Sequence, residues 1–159
     1  AVLASLRAVS LRMVLFDTSV VDLTEELHDP VDLLFGTRLG GGTDINRALT
    51  YCRGLITRPD QTILFLITDL YEGGSGAEML KRVAEIQASG TQVICLLALS
   101  DSGAPIYHDE HAAALARLGA PTFACTPDLF PDLLAAAIAR QDISLWAARN
   151  DIAPVRTER

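Results

Sequence analysis

The sequence predicts an α/β protein: a three-layer, doubly wound and mostly parallel sheet with helices on both faces. Two continuous apolar runs, Thr62–Thr68 and Val93–Leu99, have the length and β-rich make-up of strands buried on both sides. Stretches of helical period, about ten to fifteen residues each, stand between the strand candidates, as right-handed crossovers require. The third observation is compositional. With 159 residues, 50% of them hydrophobic and 21% charged, the chain supplies one well-buried core and is not disordered. A single domain of that length buries about 70% of its extended-chain surface.

In order, Ala1–Val9 has helical spacing at Val2, Leu3, Leu6 and Val9 without a capping residue in front, as if cut from a longer helix. Leu11–Phe16 reads as a strand and Val20–Leu23 as a second, short one. Pro30–Phe35 is a short helix that Pro30 opens. The run Gly40-Gly41-Gly42-Thr43-Asp44 is a tight loop delivering Thr43 to a helix whose inward face is Ile45, Ala48, Leu49, Cys52, Leu55 and Ile56. The strand Thr62–Thr68 ends at Asp69, and Glu72–Gly76 forms a loop. A helix over Ala77–Ala88 follows, stopped by Gly90. After the strand Val93–Leu99 come a polar loop, a short helix near Glu110–Leu118 closed by Gly119, a strand over Pro121–Cys125 and a helix over Asp128–Arg140. Gln141–Arg159 leaves the pattern, and its last residues, APVRTER, are expected to fray.

A net charge of −7 argues against a broad phosphate-binding surface, so nucleic acid is not an expected partner. No apolar run reaches the length of a bilayer span and no signal-peptide pattern opens the chain, so the expected location is the cytoplasm, away from the membrane. Three widely separated cysteines, Cys52, Cys95 and Cys125, read as reduced thiols, the latter two inert and buried.

In doubly wound sheets ligands bind beyond the carboxyl ends of the strands, which singles out Asp17, Thr43 and Asp69. Competing chemistries lack their residues. A Walker-type phosphate cradle needs a lysine beside the glycines, and Lys81, the sole lysine, lies mid-helix. His108 and His111 have zinc-like spacing but no third ligand, and read as a solvated helix entry. No Ser-His-Asp triad can be assembled. A magnesium-dependent phosphoryl-transfer enzyme would use Asp17 as nucleophile and Asp69 on the metal, yet Ser19 stands where the second aspartate belongs.

The segment GGGTD before a helix, with an apolar strand ending in ITD and a glycine-rich turn, resembles two of the three metal-site motifs of the von Willebrand factor A (VWA) domain. More narrowly, FDTSVVDLTEELHDPVDLLFGTRLGGGTDINRAL resembles the bacterial CoxE-like branch. The resemblance covers nearly the whole chain, with residues 1–140 as the VWA-like domain and 141–159 as a C-terminal helix extension and tail. It implies a magnesium ion at the carboxyl edge of the sheet, with Thr43 and Asp69 as ligands and one position left for a partner protein's carboxylate. It also implies work beside a MoxR-type AAA+ ATPase in the assembly or activation of another protein. Binding of that kind needs no catalysis, so the chain is not expected to be an enzyme.

The family's third ligand set, Asp-x-Ser-x-Ser, follows its first strand. Asp17-Thr18-Ser19-Val20-Val21 begins similarly but carries Val21 where the second serine belongs, and Asp17 precedes Thr43 by only 26 residues. LFDTSVVDL therefore aligns with the family's second strand and the turn into the third, and Ala1 begins inside its first helix. The expected sheet lacks the usual first strand, cation affinity is expected to be weak or absent in this chain alone, and apolar surface left open by the missing strand would favour self-association. A structural interaction domain with a vestigial metal site is the alternative. Trp146, with Ile143 and Leu145, is expected to pack a C-terminal helix onto the sheet, the alternative being an exposed docking patch.

Overall fold

The computed structural model describes residues 9–17, 19–22, 43–99 and 106–155. The helices anticipated at Ala1–Val9 and Pro30–Phe35, and the glycines 40–42, lie outside them or nearly so. Strand β1 (Val14–Phe16) pairs antiparallel with β2 (Val20–Asp22), Phe16 opposite Val20, in a hairpin shorter than the sequence suggests. Helix α1 (Ile45–Leu55) leads through a 3-10 turn at Pro59–Gln61 into β3 (Ile63–Thr68), which is followed by α2 (Gly76–Ala88) and β4 (Gln92–Leu97). Then come α3 (Asp109–Arg117), β5 (Thr122–Ala124), α4 (Phe130–Ile138) and α5 (Ile143–Arg149). The expected helix start at Asp128 is instead a 3-10 turn, Pro127–Leu129, before Phe130 opens α4 with Pro131 in its first turn. Proline supplies no N–H, so it is tolerated there.

Strands β3, β4 and β5 form a parallel sheet in that order, with Phe65 opposite Ile94 and Leu96 opposite Phe123. Successive side chains of a strand point to opposite faces, and both faces are covered. Leu64, Leu66, Val93, Cys95 and Leu97 enter one cluster with Ile45, Leu49, Met79, Val83 and Leu115. Ile63, Phe65, Ile94, Leu96 and Phe123 enter the other with Phe130, Leu133, Ile143 and Trp146. Helices α1, α2 and α3 therefore lie on one face and α4 and α5 on the other, giving the three layers. Among the described residues the β1–β2 hairpin is a separate sheet, and β3 pairs on one side only, with β4. The hairpin is tied to α1 instead, by packing of Phe16 and by the Tyr51 hydroxyl, which donates to Asp22 Oδ2 at 3.0 Å. That bond, chiefly, raises the pKa of the Tyr51 phenol.

Helix ends follow capping chemistry. Ser75 accepts from the Glu78 N–H and Asp142 from the Leu145 N–H, each filling a donor the first turn leaves open. Gly90 and Gly119 close α2 and α3 with φ of +109° and +86°, conformations that side chains with a Cβ rarely adopt. Trp146 is buried in the second cluster with its ring against Phe123 of β5, so α5 is packed on the sheet; its indole Nε1–H donates to Asp132 Oδ2 of α4 at 2.8 Å, while Leu145 faces outward. The fraying anticipated for the last seven residues does not begin at Ala153. Val155 packs against the first cluster and its N–H donates to the Thr122 carbonyl at 3.0 Å, satisfying an edge-strand acceptor.

Candidate metal centre at the carboxyl rim

The apolar run of β3 ends at Thr68 because the next residues must turn. Asp69 Oδ1 accepts the Tyr71 N–H at 3.1 Å, and the Thr68 hydroxyl accepts the Leu70 N–H at 3.1 Å, so each side chain replaces a ladder partner in the turn. Leu70, fully buried, takes a left-handed φ of +62°. For a bulky non-glycine residue this conformation costs on the order of 1–2 kcal/mol. It is held by the Thr68 bond and by His111 Nδ1, 2.8 Å from the Leu70 carbonyl oxygen. The backbone of Gly76 lies so close to the His111 ring that a Cβ there would collide with Nε2.

The second segment arrives through the hairpin and α1. The Asp44 N–H donates to the Asp17 carbonyl at 2.8 Å, which joins the end of β1 to the start of α1. Asp44 is the N-cap, its Oδ1 accepting from the Arg47 N–H at 2.9 Å. Capping accounts for Asp44 and leaves Thr43, one residue earlier, outside the helix. The two segments meet directly: the Gly73 N–H donates to the Thr43 carbonyl at 2.7 Å, and a Cβ on Gly73 would come within 3.0 Å of that oxygen. Glu72 reinforces the junction, accepting the N–H groups of Ile45 at 3.2 Å and Asn46 at 2.8 Å. Segments 43–46 and 69–74 thus share one rim of the molecule, beyond the carboxyl end of β3.

Asp17 stands apart in chemistry. Its Oδ1 accepts the backbone N–H of Ser19 at 2.6 Å and the Ser19 hydroxyl at 2.9 Å, so the carboxylate closes its own turn between β1 and β2. The two histidines are similarly engaged. The rings of His108 and His111 stack with centroids 3.9 Å apart, Tyr71 meets His108 edge-on, and His108 Nδ1 accepts the His111 N–H as the N-cap of α3. That is a helix entry, as the sequence suggests. Among the described residues no group of three or more His, Cys, Asp or Glu side chains could hold a metal ion. A metal reading therefore rests on a hydroxyl and a carboxylate, hard oxygen donors of the type magnesium takes while keeping several waters. On α1, Asn46 Oδ1 is buried without a hydrogen-bond partner among the described residues, but its carboxamide is not part of that pair. The hydroxyl and the carboxylate fit a hard cation in kind.

A family model for the "VWA domain containing CoxE-like protein" matches residues 1–134. This chain belongs to the CoxE-like VWA family. Among curated proteins, the CoxE-like VWA chain is 42% identical over 127 residues to the uncharacterized protein YehP of Escherichia coli (strain K12), an alignment covering 80% of this chain and 34% of that protein. It thus spans about a third of the length of this relative. No solved structure gives a significant match. The α/β architecture, with its parallel sheet between helices, agrees with a VWA fold, and among the described residues no helix is long and apolar enough to cross a membrane.

The contribution of Glu72 is not legible in the sequence, where it is one polar residue of a glycine-rich loop. The nearest signal is a carboxylate set between a strand end and two glycines, where backbone N–H groups lack partners of their own.

Proposed function

We propose that this CoxE-like VWA chain is a protein-binding module, not a catalyst, and that its docking element is a magnesium ion at the carboxyl rim. The supporting observation is the 2.7 Å backbone bond from Gly73 to Thr43, which brings the loop that follows Asp69 against the residue that carries the hydroxyl. The Thr43 hydroxyl and the Asp69 carboxylate would hold the ion, water and other oxygens completing its shell. When bound, it supplies the positive charge that a partner's Asp or Glu carboxylate requires, on a chain whose net charge of −7 otherwise repels such a group. Tyr71 and Ile106, exposed large hydrophobic residues that follow Asp69 and precede His108, add apolar area for the same partner. The resemblance to CoxE-like proteins supports a MoxR-type AAA+ ATPase as the associated machine, acting in the cytoplasm on a third protein.

Isothermal titration of the intact protein with magnesium, repeated on Thr43→Ala and Asp69→Ala, tests the site. Loss of either ligand is expected to weaken binding at least about 10-fold. Equal heats from all three proteins would remove the metal bridge and leave a structural interaction domain.

A further inference from the structure

We infer that Glu72 is a positioning residue for this rim, a bracket that fixes where Thr43 stands relative to Asp69 and closes the start of α1 to outside anions. The inference rests on the reading of Thr43 and Asp69 as the cation-holding pair. Glu72 Oε2 accepts the Asn46 N–H at 2.8 Å, and Oε1 accepts both the Ile45 N–H at 3.2 Å and the Gly74 N–H at 3.1 Å. One planar carboxylate thereby spans two segments. Two of its donors belong to the first turn of α1, two and three residues after Thr43, and the third, Gly74, to its own loop, five residues after Asp69. The adjacent Gly73 grips Thr43 through the backbone, at a distance only glycine tolerates without a shift. A negative charge at a helix N-terminus is favoured by the partial positive charge there, and hydrogen bonds to an ionised acceptor are the stronger kind.

The donors at this helix start are all engaged. The Asp44 N–H goes to the Asp17 carbonyl, those of Ile45 and Asn46 to Glu72, and that of Arg47 to Asp44 Oδ1. A helix N-terminus with open N–H groups is a ready anion site. Here Glu72 fills it from within, so a carboxylate arriving on a partner finds no free donor in that turn and is left to the cation. Glu72 acts through the backbone that carries Thr43 and Asp69.

Amide hydrogen exchange of the intact protein, with Glu72→Ala, tests this without metal. Exchange at Ile45 and Asn46 is expected to quicken about 10-fold or more on loss of their charged acceptor, while Ile94 and Leu96 in β4 stay as slow as before. Added acetate is expected to slow both amides again by entering the vacated position, a rescue that a merely structural role would not give. If Glu72→Ala does not fold, Glu72→Gln keeps the size of the side chain and is expected to show the quickening at Asn46 alone. Unchanged exchange at both amides, or an increase shared equally by Ile94 and Leu96, would overturn the bracket. Magnesium titration of the same variant is expected to show about 10- to 100-fold weaker binding. The two ideas fail separately: a wild-type protein silent to magnesium ends the cation reading, whereas the exchange pattern alone decides the bracket.

Discussion

Replacing Phe123 with alanine is expected to cost the fold about 3–5 kcal/mol. Phe123 is 1% exposed and stands on β5 facing the cluster that α4 and α5 cover. Its ring centroid lies 6.2 Å from that of Trp146, so one truncation removes the aromatic contact between β5 and the last helix. Because domains of this size are stable by only about 5–15 kcal/mol, the loss takes a large share of the total. Urea unfolding, with Trp146 fluorescence as one probe, reads it directly. Leu145→Ala is the internal contrast: that side chain is 49% exposed, and its removal is expected to change stability by no more than about 0.5 kcal/mol. Similar losses for the two variants would mean that the second cluster does not form the described core.

Alkali is expected to destabilise the protein through a buried thiol. Cys95 is fully buried in β4, and burial pushes its pKa from 9.0 to about 12. Above pH 9 the unfolded chain releases this proton while the folded chain keeps it. The unfolded state then binds fewer protons, and stability falls as pH rises from 9 toward 12. A shift of that size corresponds to roughly 4 kcal/mol across the window. Burial, aided by Asp22 for Cys52 and Asp128 for Cys125, raises both other thiols to about 11, so they act in the same direction. Tyrosine and lysine titrate in the same range, so the decisive comparison is with Cys95→Ala under reducing conditions between pH 8 and pH 11. The variant is expected to lose visibly less stability with pH than the wild type. Parallel slopes would show that Cys95 does not carry the effect.

The strands at the centre of the sheet are legible because their surroundings demand a single residue type. Ile63–Thr68 and Gln92–Leu97 contact helices on both faces, so nearly every position is apolar and the run stands out without any periodicity. Helix α2 is equally plain, with Met79, Val83 and Ile86 on one face. The hairpin is less so, since Val21 is 49% exposed and alternation over three residues carries little information. Val155 is read as a fraying residue because its partner, the Thr122 carbonyl, is remote in sequence. The rim divides along the same line. The rim positions of Thr43 and Asp69 are legible because a loop-to-helix junction and a strand end mark them locally. Glu72 is missed because its bonds to Ile45 and Asn46 reach back to residues 27 and 26 positions earlier, and nothing in its immediate neighbours points there.

One cation is expected to sit where the Thr43 and Asp69 segments meet. Paramagnetic broadening by manganese, a stand-in for magnesium with the same preference for hard oxygen ligands, locates it on the intact, isotope-labelled protein. The amides of Thr43, Asp44, Asp69 and Leu70 are expected to broaden first and together, and excess magnesium to restore them. Broadening centred at the opposite ends of the strands, near Gln92 and Gly119, or confined to only one of the two segments, would contradict it.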